Sequence, residues 1–229
     1  MIDALRQSAA HVFVQSLETP ILGIEDQHHL LKVLRVRAHD QITVSNGVGG
    51  WMTATITKNG DVYATSELFF VESPRWSLCV AFAPVKGEKP ELIVQKLAEL
   101  GIDEIVPLAP TVRSVVRWDA AKAEKQSSRL QKVANEASMQ SRRVWLPKVL
   151  PVAHLADVLT RDGVAIAEPG GTEVAAMHRT IVVGPEGGFA PEELAESTLR
   201  VSLGESVLRA ETAAIVAGAL MSRCRRSEM

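Results

Sequence analysis

Residues 181–194, IVVGPEGGFAPEEL, and residues 201–220, VSLGESVLRAETAAIVAGAL, share one grammar: an apolar run, a glycine turn, then a helix. Ile181-Val182-Val183 is short, β-branched and bounded by glycine, which reads as a buried strand. Gly184-Pro185-Glu186-Gly187-Gly188 reads as a turn in which glycine permits positive φ and a close approach of ligand to backbone. Pro191-Glu192-Glu193 reads as a first helical turn, with proline near N1 and acids at the positive end of the dipole. Val201-Ser202-Leu203 with Gly204 repeats the strand-and-turn step. Glu211-Thr212 then opens an Ala-rich, almost wholly apolar helix to about Met221, expected to be buried.

Two such loops side by side in an α/β sheet would lie at the carboxyl ends of their strands, where open α/β sheets bind ligands. The ligand type can be narrowed. GPEGG has no Lys-Ser/Thr after its glycines, so it is not a P-loop, and it is not GxGxxG. Glu186 inside the loop would repel a phosphate; a neutral or cationic ligand, such as a nucleoside carrying a sulfonium, suits it better. On residues alone, two ordinary tight turns in an α/β domain stand level with this reading.

A chain of 229 residues predicts one large or two small domains, and 46% hydrophobic residues suffice for a full core. Cys79 and Cys224 are too few for a disulfide framework and lack metal-ligand spacing, so they read as reduced thiols in a cytoplasmic protein. The N-terminal MIDALRQSAAHVFV has no apolar core of a secretion signal, and no apolar run is long enough for a membrane span. His28 and His29 diverge around a helix and do not make a metal site; no metal is expected.

Net charge is −2, which does not advertise nucleic-acid binding, but its distribution is uneven. Residues 1–73 hold 5 Lys/Arg against 8 Asp/Glu, and residues 149–229 hold 7 against 11. Residues 113–148 hold 9 against 3, so one segment carries the positive potential.

Residues 11–73 read as a small β-rich domain. His11–Val14, Gln41–Ser45, Trp51–Thr57 and Val62–Val71 are strand-like, with hairpin signals at Asn46-Gly47 and Asn59-Gly60, and several short strands of this kind predict a small barrel. Residues 26–34, DQHHLLKVL, read as a short helix capped by Asp26 with Leu30, Leu31 and Leu34 apolar. Glu72-Ser73-Pro74 marks the boundary, giving domains 1–73 and 74–229. Beyond it the pattern alternates: strand Leu78–Ala83, helix Pro90–Leu100, strand Glu104–Leu108, a long helix from Asp119 to about Gln140, a short helix within 151–160 and strand Val164–Ala167. Such alternation implies βαβ units and a mostly parallel sheet. Glu168-Pro169-Gly170-Gly171 reads as a glycine turn ending its strand, so three strand-end loops are expected, at 168–171, 184–188 and 203–209.

GPEGGF followed by LGESVLRAETA resembles the signature of the bacterial 16S rRNA uridine-N3 methyltransferase family, of the SPOUT or α/β-knot superfamily. HHLLKVLRVRAHD, Lys86-Gly87 with VQKLAELGIDEIVPL, TVRSVVR at 111–117 and NEASMQSRR at 135–143 match it as well, so the resemblance covers nearly the whole chain. Two departures are His39, where the family usually has glycine before Asp40, and His11, where arginine is more usual.

The resemblance implies a PUA-like β-barrel followed by a trefoil-knot methyltransferase domain, with S-adenosylmethionine held by three loops. Carried onto this sequence, the cofactor-binding residues are Glu168, Pro169, Gly184, Pro185, Glu186, Gly188, Leu203, Gly204, Val207, Leu208 and Arg209. Backbone groups at Leu203, Gly204 and Leu208 would meet the adenine edge. Lys32, Arg35, Arg37, Lys86, Arg113, Arg129, Lys132 and Arg142 are the candidate RNA contacts. Methyl transfer to N3 of a uridine in 16S rRNA of the small ribosomal subunit requires loss of the N3 proton. Arg209 is the candidate catalytic cation for the uracil anion, against a structural pairing with Glu205 or Glu211; Glu211 itself reads as a first-turn acid. A homodimer through the apolar C-terminal helix is implied too. The alternatives are a SPOUT enzyme acting on ribose 2′-O or another base, and a non-catalytic RNA-binding protein of the same fold.

Overall fold

The computed structural model describes residues 2–194 and 198–227. By contact the chain divides into two units, Met1–Pro74 with Ser138–Leu146, and Arg75–Ala137 with Pro147–Met229.

In the first unit, helix α1 (Ile2–Gln7) precedes strands β1 (His11–Phe13), β2 (Gln41–Ser45), β3 (Gly50–Ile56), β4 (Val62–Ala64) and β5 (Phe69–Phe70). The sheet order is β1-β2-β3-β4; β1 pairs with β2 in parallel and the other ladders are antiparallel. β4 pairs with one half of β3 and β5 with the other, so the run expected over 62–71 is two strands. Ile42, Val44, Ala54 and Ile56, all buried, form the core with Val12 and Leu30. Residues 138–146 complete this unit. The Gly49 amide donates to the Val144 carbonyl at 2.9 Å, the Leu146 amide to Gly47 at 2.9 Å, and the Trp145 indole N–H to Val71 at 2.9 Å.

The helix expected at 26–34 is different in detail. α2 (Ile24–His28) starts two residues earlier, with Gly23 at its N-cap and no side-chain cap, and passes into a π-helical turn over His29–Val33. The Leu34 amide reaches back to His29 at 2.9 Å. The wider turn breaks the 3.6-residue stripe. Leu30 is therefore fully buried while Leu34 is exposed. His39 has φ 74°, the left-handed region where glycine is at ease, which accounts for the family's glycine there.

The second unit is a six-stranded, all-parallel sheet in the order β11-β9-β10-β6-β7-β8. Its strands are β6 (Cys79–Phe82), β7 (Glu104–Pro107), β8 (Lys148–Val149), β9 (Val164–Thr172), β10 (Thr180–Val183) and β11 (Arg200–Val201). Helices α3 (Lys89–Glu99), α4 (Ala120–Gln140), α5 (Leu155–Val158) and α6 (Ala210–Ser227) connect and cover it. β6 and β10 are buried along their full length, as expected of near-continuous apolar strands in a parallel sheet. Asp119 caps α4, accepting from the Lys122 amide at 2.8 Å.

From β10 the chain passes β9 to reach β11 at the sheet edge, and α6 returns to lie on α3, β6 and β10. α6 buries one face, not its whole circumference. Ala214, Ala217, Gly218 and Met221 are buried. A Cβ at Gly218 would stand 2.5 Å from Leu97 Cδ2, so glycine sets how closely α6 meets α3. The helix expected from Pro191 is a 3-10 turn, Pro191–Glu193. Residues 195–197 of the polar bridge after it lie outside the described residues.

Candidate active site

β11, β9 and β10 are neighbours and run parallel, so the three loops foreseen in the sequence lie side by side at one end of the sheet. The first is not a turn that ends its strand, as expected from Glu168-Pro169-Gly170-Gly171. Ile166 pairs with Arg200 and Thr172 with Val201, the very next residue, so residues 167–171 loop out of a strand that resumes at Thr172. A Cβ at Gly171 would lie 2.6 Å from the Arg200 and Val201 backbone; glycine permits the strand to close again.

The second loop follows β10. Pro185 is buried, Gly184 and Gly188 half-buried, and Glu186 exposed. The Gly188 amide donates to the Pro185 carbonyl at 2.8 Å, and the Phe189 ring packs on Gly184, where a Cβ would meet it at 3.0 Å. The third loop follows β11. Leu203 and Leu208 are half-buried, Gly204 and Arg209 exposed, and Val207 is 87% exposed.

One glycine from each loop shares a property. Gly170, Gly188 and Gly204 have φ of 82°, 68° and 153°, and a Cβ on any of them would meet nothing within 4 Å. Left-handed backbone is costly for other residues. Here it leaves bare backbone facing open space, as it also does at Gly87 in the loop after β6.

Several charged residues of the second unit are already paired. Lys89 Nζ is 2.9 Å from Glu211 Oε1, and that contact is the first cause holding the Glu211 carboxyl below its usual range. Glu211 thus pairs with Lys89. Arg209 makes no ion pair within 4 Å among the described residues, though its charge also helps to lower the Glu211 carboxyl. Lys86 is exposed in the loop after β6. Arg129 Nε lies 3.0 Å from Glu91 Oε1, and Lys132 is exposed on α4.

Sequence reasoning did not single out Glu193 as a link between loops. Its Oε2 accepts from the Ala190 amide and its Oε1 from the Val112 amide, both at 2.8 Å. Arg113 Nη1 donates to the Gly187 carbonyl at 3.0 Å. The only legible trace was an acid three residues after Ala190 in a first turn.

In the first unit, Lys32, Arg35 and Arg37 are exposed around the π turn, with Arg35 at φ 55°. Arg142, at φ 60°, donates from Nη2 to the Ser8 carbonyl at 2.8 Å, and burial lowers its pKa. His11 is 2% exposed, its Nδ1 2.8 Å from Thr43 Oγ1 and its Nε2 3.0 Å from the Arg143 carbonyl. A carbonyl only accepts, so Nε2 carries a proton, as it does in both the neutral and the charged ring. Burial, above all, lowers its pKa to about 4.

Among the described residues no group of three or more His, Cys, Asp or Glu is placed to hold a metal, and no helix is long and apolar enough to cross a membrane.

Residues 71–222 match the model of an RNA methyltransferase domain, and residues 21–65 that of an RNA methyltransferase PUA domain. Proteins named ribosomal RNA small subunit methyltransferase E are similar along most of their length. That of Mycobacterium bovis is 30% identical over 87% of this chain and 86% of its own, and that of Bacillus subtilis is 30% identical over 87% and 89%. Among solved structures, a Legionella pneumophila methyltransferase in complex with S-adenosylmethionine aligns with a TM-score of 0.79 at 29% identity, covering 93% of this chain and 96% of that one. A Neisseria gonorrhoeae ribosomal RNA small subunit methyltransferase E bound to S-adenosylmethionine aligns at 0.76 and 25% identity, with the same coverage.

Proposed function

Because the chain belongs to the RNA methyltransferase family, in company with the small-subunit methyltransferase E proteins, we propose that it methylates N3 of a uridine in 16S rRNA of the small ribosomal subunit. The observation that carries the reading is a set of three open glycines on adjacent parallel strands, Gly188 and Gly204 in the loops after β10 and β11 and Gly170 in the excursion within β9. Bound there, S-adenosylmethionine supplies a methyl group on an already activated sulfonium.

The chain's own residues then have three tasks. The backbone of Leu203, Gly204 and Leu208 would hold the adenine edge, and Gly184 and Gly188 would let the loop approach the ribose and methionine parts, with Glu168, Pro169, Pro185 and Glu186 as further cofactor-binding residues. Exposed Glu186 favours a cationic donor over a phosphate. The walls align donor and acceptor, so that the barrier is lowered chiefly by orientation. N3 becomes nucleophilic only when its proton has left to solvent, and the Arg209 guanidinium would stabilise the uracil anion so formed until the methyl group is transferred and the thioether leaves.

Lys32, Arg35 and Arg37, and on the second unit Lys86 and Lys132, are the proposed contacts to RNA phosphate. The Arg129 and Arg142 guanidinium groups already hold protein oxygens and are the weaker candidates for RNA contact. The trefoil threading rests on the family likeness. The half-buried Ile215, Val216, Ala219 and Leu220 on α6 support a homodimer. Ribosomal subunits as substrate favour a cytoplasmic location.

The test is incubation with tritium-methyl S-adenosylmethionine and small subunits lacking the modification, followed by nucleoside analysis. Label in N3-methyluridine is expected. Label in a 2′-O-methyl nucleoside would overturn the target, and no label with no cofactor binding would overturn the enzyme reading.

A further inference from the structure

The loop after β7 and the loop after β10 meet, although β6 stands between their strands. The gap is two strand spacings, roughly 10 Å. The contact is built, not incidental. Residues 111–114 form a turn locked by its own hydroxyls: the Thr111 amide donates to Ser114 Oγ at 2.9 Å, the two hydroxyls lie 2.9 Å apart, and the Ser114 amide donates to the Thr111 carbonyl at 3.1 Å. Thr111 and Ser114 are buried. Adjacent residues of this turn then make both cross-links, Val112 through its amide to Glu193 and Arg113 through its guanidinium to Gly187. The Arg113 side chain lies along Gly187, where a Cβ would touch it at 3.4 Å. The result is an arch over the carboxyl end of β6, anchored beside the cofactor loop.

What the arch shows to the outside differs from its anchors. Val112 and Val115 are 57% and 59% exposed. Arg117 is exposed and has no ion-pair partner among the described residues. Two bare valines on a rigid turn, followed by a free guanidinium, suit an unpaired stretch of RNA: apolar contact for a base or ribose, and a cation for the phosphate. Arg113, by contrast, is already engaged with the cofactor loop.

We propose that residues 112–117 form the RNA-facing wall of the methyl-transfer site, with Val112, Val115 and Arg117 touching RNA and Glu193 and Arg113 as positioning residues that fix the wall to the cofactor loop. This deepens the methyltransferase reading and rests on it. Glu193 is suited to the task because a carboxylate accepts from two amides at once; glutamine would turn an N–H toward one of those amides.

The experiment compares wild type with Val112→Asp/Val115→Asp, Glu193→Gln, Arg113→Ala and the Glu193→Gln/Arg113→Ala pair. It reads kcat and KM for small subunits, direct binding of subunits and of naked 16S rRNA, the S-adenosylmethionine dissociation constant and Tm. The aspartates should weaken binding of both RNA forms and raise KM about tenfold, with cofactor affinity and Tm unchanged. Glu193→Gln and Arg113→Ala should each lower kcat/KM about tenfold, and the pair should lose little more than either alone. Unchanged subunit binding by the aspartate variant overturns the wall. Binding lost for subunits but kept for naked rRNA places a ribosomal protein there and overturns it too. Additive losses, or losses that follow cofactor affinity, overturn the positioning role. If wild type transfers no label, the enzyme reading has failed, and the binding data still decide the wall.

Discussion

Residues 138–146, inside the basic segment 113–148, and the three glycine loops make opposite use of their chemistry. The segment carries formal charge, yet the Arg142 guanidinium is already engaged by the Ser8 carbonyl. The loops lie in a stretch that is net negative, yet they turn three glycines toward open space. Formal charge counted along a chain therefore overstates what is free to bind a ligand. Local backbone conformation, which carries no charge, defines the better candidate site.

Acid should strain the first region most. The His11 pKa of about 4 in the fold lies below its ordinary 6.5, so between those values the unfolded chain binds more protons. Stability is then full above pH 6.5, falls as pH drops, and has lost roughly 3 kcal/mol once pH is below 4. Chemical denaturation across pH 4–7 should show this slope, and His11→Gln should flatten it. An equal slope in the variant would remove His11 as its origin.

Arg142→Met leaves the Ser8 carbonyl without its donor and should cost about 2 kcal/mol. The salt dependence of RNA binding should stay as in wild type, whereas Arg37→Ala should reduce that slope by about 0.7–0.9. If Arg142→Met changes the slope as Arg37→Ala does, the contrast between engaged and free cations fails.

Gly188→Ala tests the other region. The left-handed φ should cost about 1 kcal/mol in unfolding, while the new methyl enters open space. Cofactor affinity, measured by calorimetry, should fall about tenfold or more. Stability lost without affinity would mean the glycine serves the turn alone. The smallest effect is expected at His39→Gly, about 0.5–1 kcal/mol of stabilisation from relieving φ 74°; a lower Tm would show that the imidazole contributes a contact that outweighs the strain.

Much of this architecture was legible because its signals are periodic or local. β2, β6 and β10 follow β-branched runs, α3 follows its apolar stripe, and Asp119 announces α4. The misses share another cause. A π turn depends on where Leu30 must be buried, which no period encodes. Two-residue β8 and β11 exist through their neighbours' ladders. Glu168–Gly171 has turn composition, but the strand resumes because Gly171 can approach β11. Glycines mark the candidate site in the sequence, whereas the bridge from Glu193 to Val112 joins residues far apart in the chain.

Residues 138–146 also bear on synthesis. The first unit lacks the donors and acceptors of Val144, Trp145 and Leu146 until those residues have been made. Vectorial folding, in which an N-terminal domain closes before the next emerges, can build the ladders of the leading sheet, which lie within residues 11–70, but not its last contacts. Those wait while α3, β7 and α4 are made, and a nascent chain arrested before Leu146 should be more open to proteolysis than one arrested after it.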